Sequence, residues 1–401
     1  MSDSIPLPLR RWRRGSLTLG PAFVAAIAYV DPGNIAANTS AGARFGYSLL
    51  WVVVLASAVA APMQYLSAKL GAATGQSLPS LIRERLGPVG RRAYWAQAEI
   101  VAMATDLAEV IGASVALHLL FDVPMLAAAL AAGAIGMAIL ALRDRLGEAA
   151  LEAVAATSLL IIGAAFVLGM VTAPPATVDA AKGLLPTVGG NEQVLLAAAI
   201  VGATIMPHAI YLHSGLGADH PERPHHIRSQ VAKAMMLAGA VNVSMLLFGA
   251  GALAGEQDDD FGTIAGAITT RVGHGATIAF LVALLLSGLV STAVGTAAGE
   301  TIMAGLLRRR VSPYLRRVIT LLPALVLITA GVSPVTGLLA SQVVLSLGIL
   351  AALIPLALFT SDRALMGDHV NGNVMTTFAW GAVGLVGILN AALVAVTLVQ
   401  R

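Results

Sequence analysis

The sequence predicts an all-α membrane protein of eleven transmembrane helices, and three observations carry that prediction. Of 401 residues, 57% are hydrophobic and 11% charged, with a mean hydropathy of +0.83, whereas soluble domains are about one-quarter charged. Eleven apolar runs, separated by short polar or Gly/Pro-containing connections, approach the length of about 20 residues that a bilayer crossing requires. The 24 Lys and Arg residues alternate in density from one connection to the next. With the first end placed in the cytoplasm, 20 fall inside and four, Arg44, Lys182, Arg271 and Arg401, fall outside. That bias is the positive-inside rule, and one missed helix would scramble it.

Composition also excludes. With no cysteine, neither a disulfide framework nor a thiolate metal site or nucleophile is available, so any metal must be held by O, N or Met sulfur. A net charge of +3, spread over short loop clusters, argues against nucleic acid as a partner. Arg10, Arg11, Arg13 and Arg14 precede the first apolar run without a small-residue cleavage site, which reads as a retained cytoplasmic start. The C-terminus is then external. The sequence implies no cofactor and no obligatory protein partner. Its Ala/Gly-rich composition and short termini point to a bacterial plasma membrane.

The first run, 17–42, is interrupted by Asp31-Pro32-Gly33-Asn34. Pro32 has no N–H to give the carbonyl four residues back, which frees Ala28. In a soluble chain this tetrapeptide would be a turn; inside a span, an ionisable group that must be paired or hydrated marks function. The second run is 46–72. The third, 93–120, carries Glu99, Asp106 and Glu109 on one helical face at about 100° per residue. Three carboxylates cannot all ionise side by side in a low dielectric, so this face suits a proton relay; inter-helix salt bridges are the structural alternative. The runs 124–142 and 148–172 follow, the latter with Glu152, to which no role is assigned.

The sixth run, 192–217, is interrupted by Met206-Pro207-His208, and Pro207 likewise frees Ala203. The breaks lie five helices apart. Corresponding interruptions in successive five-helix units are the mark of an inverted-repeat transporter whose site lies between broken helices. Asp31, Asn34, Met206 and the two freed carbonyls make an O/S ligand set: a carboxylate suits any divalent cation, while a thioether suits softer first-row ions better than Mg²⁺ or Ca²⁺. Packing is the ordinary use of such a methionine. His208 is placed to share a proton with the acids or with Asp31, unless it is a satisfied core histidine. His213, five residues on, points elsewhere, and no His-Glu-x-x-His motif occurs.

The remaining runs are 231–254, 276–306, 317–332, 335–360 and 373–398. His220, His225 and His226 before the seventh read as solvated, and Asp258 to Asp260 after it as an acidic surface loop. The Ser/Gly/Thr-rich stretch from Ser287 to Gly299 reads as close helix packing. Arg316 and Arg317 are explained by topology or by pairing with the acids. Gln342 in the tenth run suits a coordination shell or an interhelical hydrogen bond. These runs divide the chain into an N-terminal segment 1–16, a first repeat 17–172, an external connection 173–191, a second repeat 192–360 and an eleventh helix with the C-terminus, 361–401.

Asp31-Pro32-Gly33-Asn34 and the stretch Gly202-Ala203-Thr204-Ile205-Met206-Pro207-His208 resemble the Nramp family of metal-ion transporters. Ala104 to Glu109, Ser287 to Gly299, Leu315-Arg316-Arg317 and Ser341-Gln342-Val343 extend the likeness in the expected helix order. The resemblance implies a LeuT-like fold, two inverted five-helix repeats plus one helix, and proton-coupled import of Mn²⁺, Fe²⁺ and similar ions by alternating access. It implies no enzyme activity. By the same resemblance Asp31, Asn34 and Met206 bind metal by side chain, Ala28 and Ala203 by carbonyl in different states, and Gln342 in some states. The proton pathway it implies takes in Asp31, Glu99, Asp106, Glu109, His208, Arg316 and Arg317. Rival readings are a sodium-coupled organic-solute symporter of the same architecture and an intramembrane metallohydrolase.

Overall fold

The computed structural model describes residues 20–187, 189–219, 224–256, 260–308 and 312–399. Segment 1–16, with Arg10, Arg11, Arg13 and Arg14, and residues His220, Arg223, Asp258, Asp259, Arg309, Arg310 and Arg401 lie outside them. In chain order the helices are α1 Pro21–Ala28, α2 Pro32–Phe45, α3 Leu50–Thr74, α4 Leu78–Arg85, α5 Pro88–Phe121, α6 Met125–Leu146, α7 Glu148–Thr172, α8 Thr177–Lys182, α9 Asn191–Thr204, α10 Pro207–Asp219, α11 Pro224–Ala252, α12 Phe261–Arg271, α13 His274–Leu307, α14 Pro313–Thr329, α15 Pro334–Thr360, α16 Arg363–Met366 and α17 Asn373–Val399. Among the described residues there is no strand.

Both interruptions are breaks. The first run becomes α1 and α2, separated at Tyr29–Asp31, and the sixth becomes α9 and α10, separated at Ile205–Met206. Several ends differ from expectation. The third helix starts at Pro88 rather than near 93, because Pro at the first position and Gly87 before it set its N-terminus. The ninth run is shifted toward its N-terminus, to Pro313–Thr329, for the same reason. The connection 173–191 is not bare loop: it contains α8, and Gly183 sits against the Tyr47 backbone while its carbonyl accepts the Trp51 N–H at 2.9 Å.

Nine described helices, counting α9 and α10 as one, are long and apolar enough to cross a membrane. Their outer faces expose Ile100, Leu160, Val171, Val374 and Ile388, as a hydrocarbon solvent requires. Their inner faces hold the polar residues. With hydrocarbon outside, burial of apolar side chains gives no driving force between helices, so close backbone approach does. Glycines supply it: Gly42 of α2 lies on the Leu246 carbonyl of α11, Gly71 of α3 on the Ser214 carbonyl of α10, and Gly202 of α9 on the Gln342 carbonyl of α15. The most extensive pairing joins the two 34-residue helices α5 and α13, and both broken helices sit beside it.

Candidate metal centre

The first break follows from the competition for two N–H groups. Asp31 is the N-cap of α2, with extended backbone, and its Oδ1 accepts the Asn34 N–H at 2.7 Å and the Asn34 side-chain amide at 2.9 Å. The Gly33 N–H also faces this carboxyl. In a continuous helix those two N–H groups would serve the Tyr29 and Val30 carbonyls. Both carbonyls find side chains instead: Asn242 of α11 donates to Tyr29 O at 2.7 Å, and Ser287 of α13 donates to Val30 O at 2.6 Å. Buried backbone groups are nearly always paired. Here the described residues supply no donor to Ala28 O.

The second break meets the first directly. The Asn34 side-chain amide donates to Ala203 O at 2.8 Å, so of the two carbonyls freed by proline, Ala28 O is open and Ala203 O is taken. The Met206 carbonyl starts α10 by accepting the Ile210 N–H at 3.2 Å. Gln342 comes from α15 and lies against Gly33, where a β-carbon would overlap its amide, and beside the Asp31 carboxyl. Ala28, Asp31, Asn34, Ala203, Met206 and Gln342 each expose 1% or less of their surface, so the site is sealed from both sides.

Three oxygens in this sealed region, Asp31 Oδ2, Asn34 Oδ1 and Gln342 Oε1, accept no hydrogen bond from a protein group. Leaving one such group unpaired costs about 1–3 kcal/mol. A cation that takes all three removes that cost, and the single carboxylate keeps the site only partly charge-matched. Among the described residues no three of His, Cys, Asp and Glu converge as a metal cluster, so a cation held here would have Asp31 as its one acidic ligand.

The acid face of α5 sits next to this site. One turn past Glu109, Gly112 is pressed against Pro32, and Glu109 feels the charge of Asp31. The fully buried Arg317 guanidinium approaches Asp106 Oδ1 at 3.4 Å and Glu109 Oε2 at 3.7 Å, and donates to Thr292 Oγ1 at 3.0 Å. Arg316 bonds Glu99 Oε1 at 3.0 Å. The topology explanation of these arginines is therefore incomplete: both are core ion-pair partners, because a charge in a low-dielectric interior needs one. His208 bonds Thr105 Oγ1 through Nδ1 at 3.2 Å, beside Asp106; it joins the acids rather than Asp31.

The structure thus links Asp31, Asn34 and Ala203 by hydrogen bonds and packs Gln342 against Gly33, with Ala28 and Met206 buried in the same two breaks, and it sets Glu99, Asp106, Glu109, His208, Arg316 and Arg317 along the neighbouring face. Gln342 reaches across to the Asp31 carboxyl of the first break, and its amide also donates weakly to the neighbouring Ser341 hydroxyl at 3.4 Å. His213 is a core residue bonded to Gln64, which also donates to the Tyr29 hydroxyl at 2.6 Å. Of the acidic loop, Asp260 caps α12 at the Thr263 N–H; His226 is exposed and Glu152 buried. Sequence reasoning missed Asn242 and Gln64, and took Ser287 and Thr292 only as part of a close-packing stretch. A lone amide in an apolar run was the available signal for Asn242 and Gln64. The hydroxyls carried none, since Ser and Thr commonly bond back to their own helix.

A model of the natural resistance-associated macrophage protein-like (Nramp) family matches residues 22–396. A divalent metal cation transporter, MntH, of Mycobacterium tuberculosis is 49% identical over 394 residues, covering 94% of this chain and 91% of its own. The Eremococcus coleocola manganese transporter, crystallised with an aromatic bis-isothiourea substituted compound, has a TM-score of 0.85 at 29% identity, covering 94% of this chain and 86% of its own. MhsT in complex with L-phenylalanine has a TM-score of 0.68 at 14% identity over 97% of this chain and 99% of its own, a likeness of fold alone, and the arrangement is LeuT-like. Matched over nearly its whole length, this chain belongs to the Nramp family.

Proposed function

We propose that the protein imports divalent transition-metal ions, Mn²⁺ and Fe²⁺ among them, across a bacterial plasma membrane by alternating access, with protons moving alongside. The observation that carries this reading is the set of three unpaired buried oxygens, on Asp31, Asn34 and Gln342, at two broken helices that meet through the Asn34 to Ala203 hydrogen bond. The names of the M. tuberculosis and E. coleocola relatives support it.

Asp31 supplies the anionic ligand, Asn34 and Gln342 amide oxygens, and Met206 a thioether. Ala28 O is ready as arranged here. Ala203 O becomes a ligand only when the Asn34 amide turns away from it, which makes the two carbonyls alternatives belonging to different states. A proton leaving Asp31 has Glu109 as its near acceptor, then Asp106; Arg317 offsets the charge of that pair, and Arg316 with Glu99 continues the line along α5. Rocking of the two broken helices, α1 with α2 and α9 with α10, then opens the inner side. The N-terminus faces the cytoplasm and the C-terminus the outside.

A sodium-coupled organic symporter shares the fold, but an anionic Asp31 repels a substrate carboxylate. Metal uptake into proteoliposomes, with internal pH recorded for wild type and Asp31→Ala in Mn²⁺, Mg²⁺ and Ca²⁺, separates the readings. Selective Mn²⁺ entry with acidification, both lost in the variant, is the expected result. Absence of Mn²⁺ flux, or flux indifferent to Asp31, overturns it.

A further inference from the structure

The first break exposes more carbonyls than the site uses. Asp31, by capping α2, draws the Asn34 N–H away from Val30 O, and the Gly33 N–H faces its carboxyl rather than Tyr29 O. Pro32 offers none to Ala28 O. Three consecutive carbonyls, at residues 28, 29 and 30, are therefore released immediately before the carboxylate. Two are then taken by single side chains reaching in from other helices: Asn242 at 2.7 Å and Ser287 at 2.6 Å. The Ile27 and Ala26 carbonyls are used by the turn itself, at 3.1 and 3.0 Å, and Asp31 O by the Ile35 N–H at 3.1 Å. Ala28 O is the one left over.

We infer that Ser287 and Asn242 are specificity-determining positioning residues, which withhold the Val30 and Tyr29 carbonyls from the ion and so keep the site poor in hard oxygen. The inference rests on the proposed metal site and deepens it. Ca²⁺ takes six to eight oxygen ligands and tolerates loose geometry, whereas a softer first-row ion gains from the Met206 thioether at a lower oxygen count. Each carbonyl released near Asp31 therefore favours the hard ion. Selectivity on this account has two parts, a sulfur that is present and oxygens that are capped, and the caps come from outside the broken helices.

Both caps are placed to be specific. Ser287 is fully buried on α13, and the next residue, Gly288, lies against the Glu109 carbonyl and Ala113 of α5. That contact fixes the depth at which the hydroxyl meets Val30 O. Asn242 is held a second way: its amide also donates to Ala238 O at 3.1 Å, and its Oδ1 accepts the Asn38 amide at 2.7 Å. Neither residue is assigned here as a metal ligand.

The test is the ratio of Ca²⁺ to Mn²⁺, measured both as ion binding to purified protein by calorimetry and as uptake into proteoliposomes, for wild type, Ser287→Ala and Ser287→Thr. Losing one buried hydrogen bond at the break predicts a rise of about fivefold in the Ca²⁺:Mn²⁺ ratio for Ser287→Ala, with Ser287→Thr restoring the wild-type ratio. Should Ser287→Ala not be recovered as a monodisperse protein, Asn242→Ala uncaps the neighbouring carbonyl and is read in the same way. Parallel loss of both ions at an unchanged ratio means a purely structural role and overturns the inference while leaving the metal site intact. Wild-type protein that binds no Mn²⁺ overturns both.

Discussion

At the residue scale, Asp31 does two jobs that conflict in an ordinary helix. As N-cap it holds the first turn of α2 through Oδ1, and as a prospective ligand it presents Oδ2 unpaired. The break lets one carboxylate do both. Met206 contributes the complementary preference. A thioether is a weak ligand for hard ions and an acceptable one for Mn²⁺ or Fe²⁺, so Met206→Ala is expected to raise Mg²⁺ and Ca²⁺ uptake relative to Mn²⁺ more than it reduces Mn²⁺ uptake itself. Competition of each ion against Mn²⁺ flux in proteoliposomes measures this; unchanged competition would remove Met206 from selectivity. Asp31 and Met206 were singled out in the sequence because each stands beside a proline inside an apolar run, and Asn34 because it closes the same Asp-Pro-Gly-Asn interruption. Asn242 and Ser287 were not, because what they cap lies 213 and 257 residues away in the chain, and no local pattern encodes such a distance.

At the scale of elements, α13 is a ridge of glycines on which charged groups of its neighbours rest. Gly288 meets the Glu109 backbone, a β-carbon on Gly295 would lie 3.0 Å from Asp106 Oδ1 and 3.1 Å from Glu109 Oε1, and one on Gly299 would overlap the Arg316 guanidinium. The sequence stretch that reads as close packing is therefore also the seat of the ion pairs between α5 and α14. Gly299→Ala is expected to push Arg316 off Glu99 and leave a buried charge poorly paired, a loss of about 3 kcal/mol. A fall of several degrees in the apparent melting temperature of detergent-solubilised protein checks it; a wild-type melting curve refutes the seat. Proline was a less complete guide to helix breaks. Pro62, Pro323 and Pro355 lie inside α3, α14 and α15 without breaking them. For Pro355 the reason is visible: the carbonyl it leaves, Ala351 O, is taken by the Tyr94 hydroxyl of α5. What turns proline into a break at Pro32 is the preceding aspartate, which captures the Asn34 N–H as well.

For the whole molecule, the number of crossings decides which way everything faces. Nine described helices meet the length and hydropathy of a span, and the proposed eleven include two more: the broken pair α1 and α2, and the 17-residue α14 with its interior proline and its Arg316 and Arg317. In α14 two buried arginines lower the hydropathy while their carboxylate partners sit on another helix. Parity tests whether it crosses. Glu84, in the last turn of α4, Asp179 in α8 and Asp368 just after α16 are all exposed. From Asp179 to Asp368 the chain passes through α9 with α10, α11, α13, α14 and α15. That is an odd number of crossings only if α14 spans, since α12, at 11 residues, is too short to cross about 30 Å of hydrocarbon. The natural absence of cysteine makes single-cysteine labelling clean. An impermeant maleimide on intact cells is expected to label Asp179→Cys but to reach Glu84→Cys and Asp368→Cys only after permeabilisation. Labelling of Asp179→Cys and Asp368→Cys from the same side would mean that α14 does not cross and would leave ten spans. An inverted pattern, with Glu84→Cys and Asp368→Cys labelled from outside, would keep eleven but reverse the direction of transport relative to the ion-pair line that runs from Asp31 to Arg316.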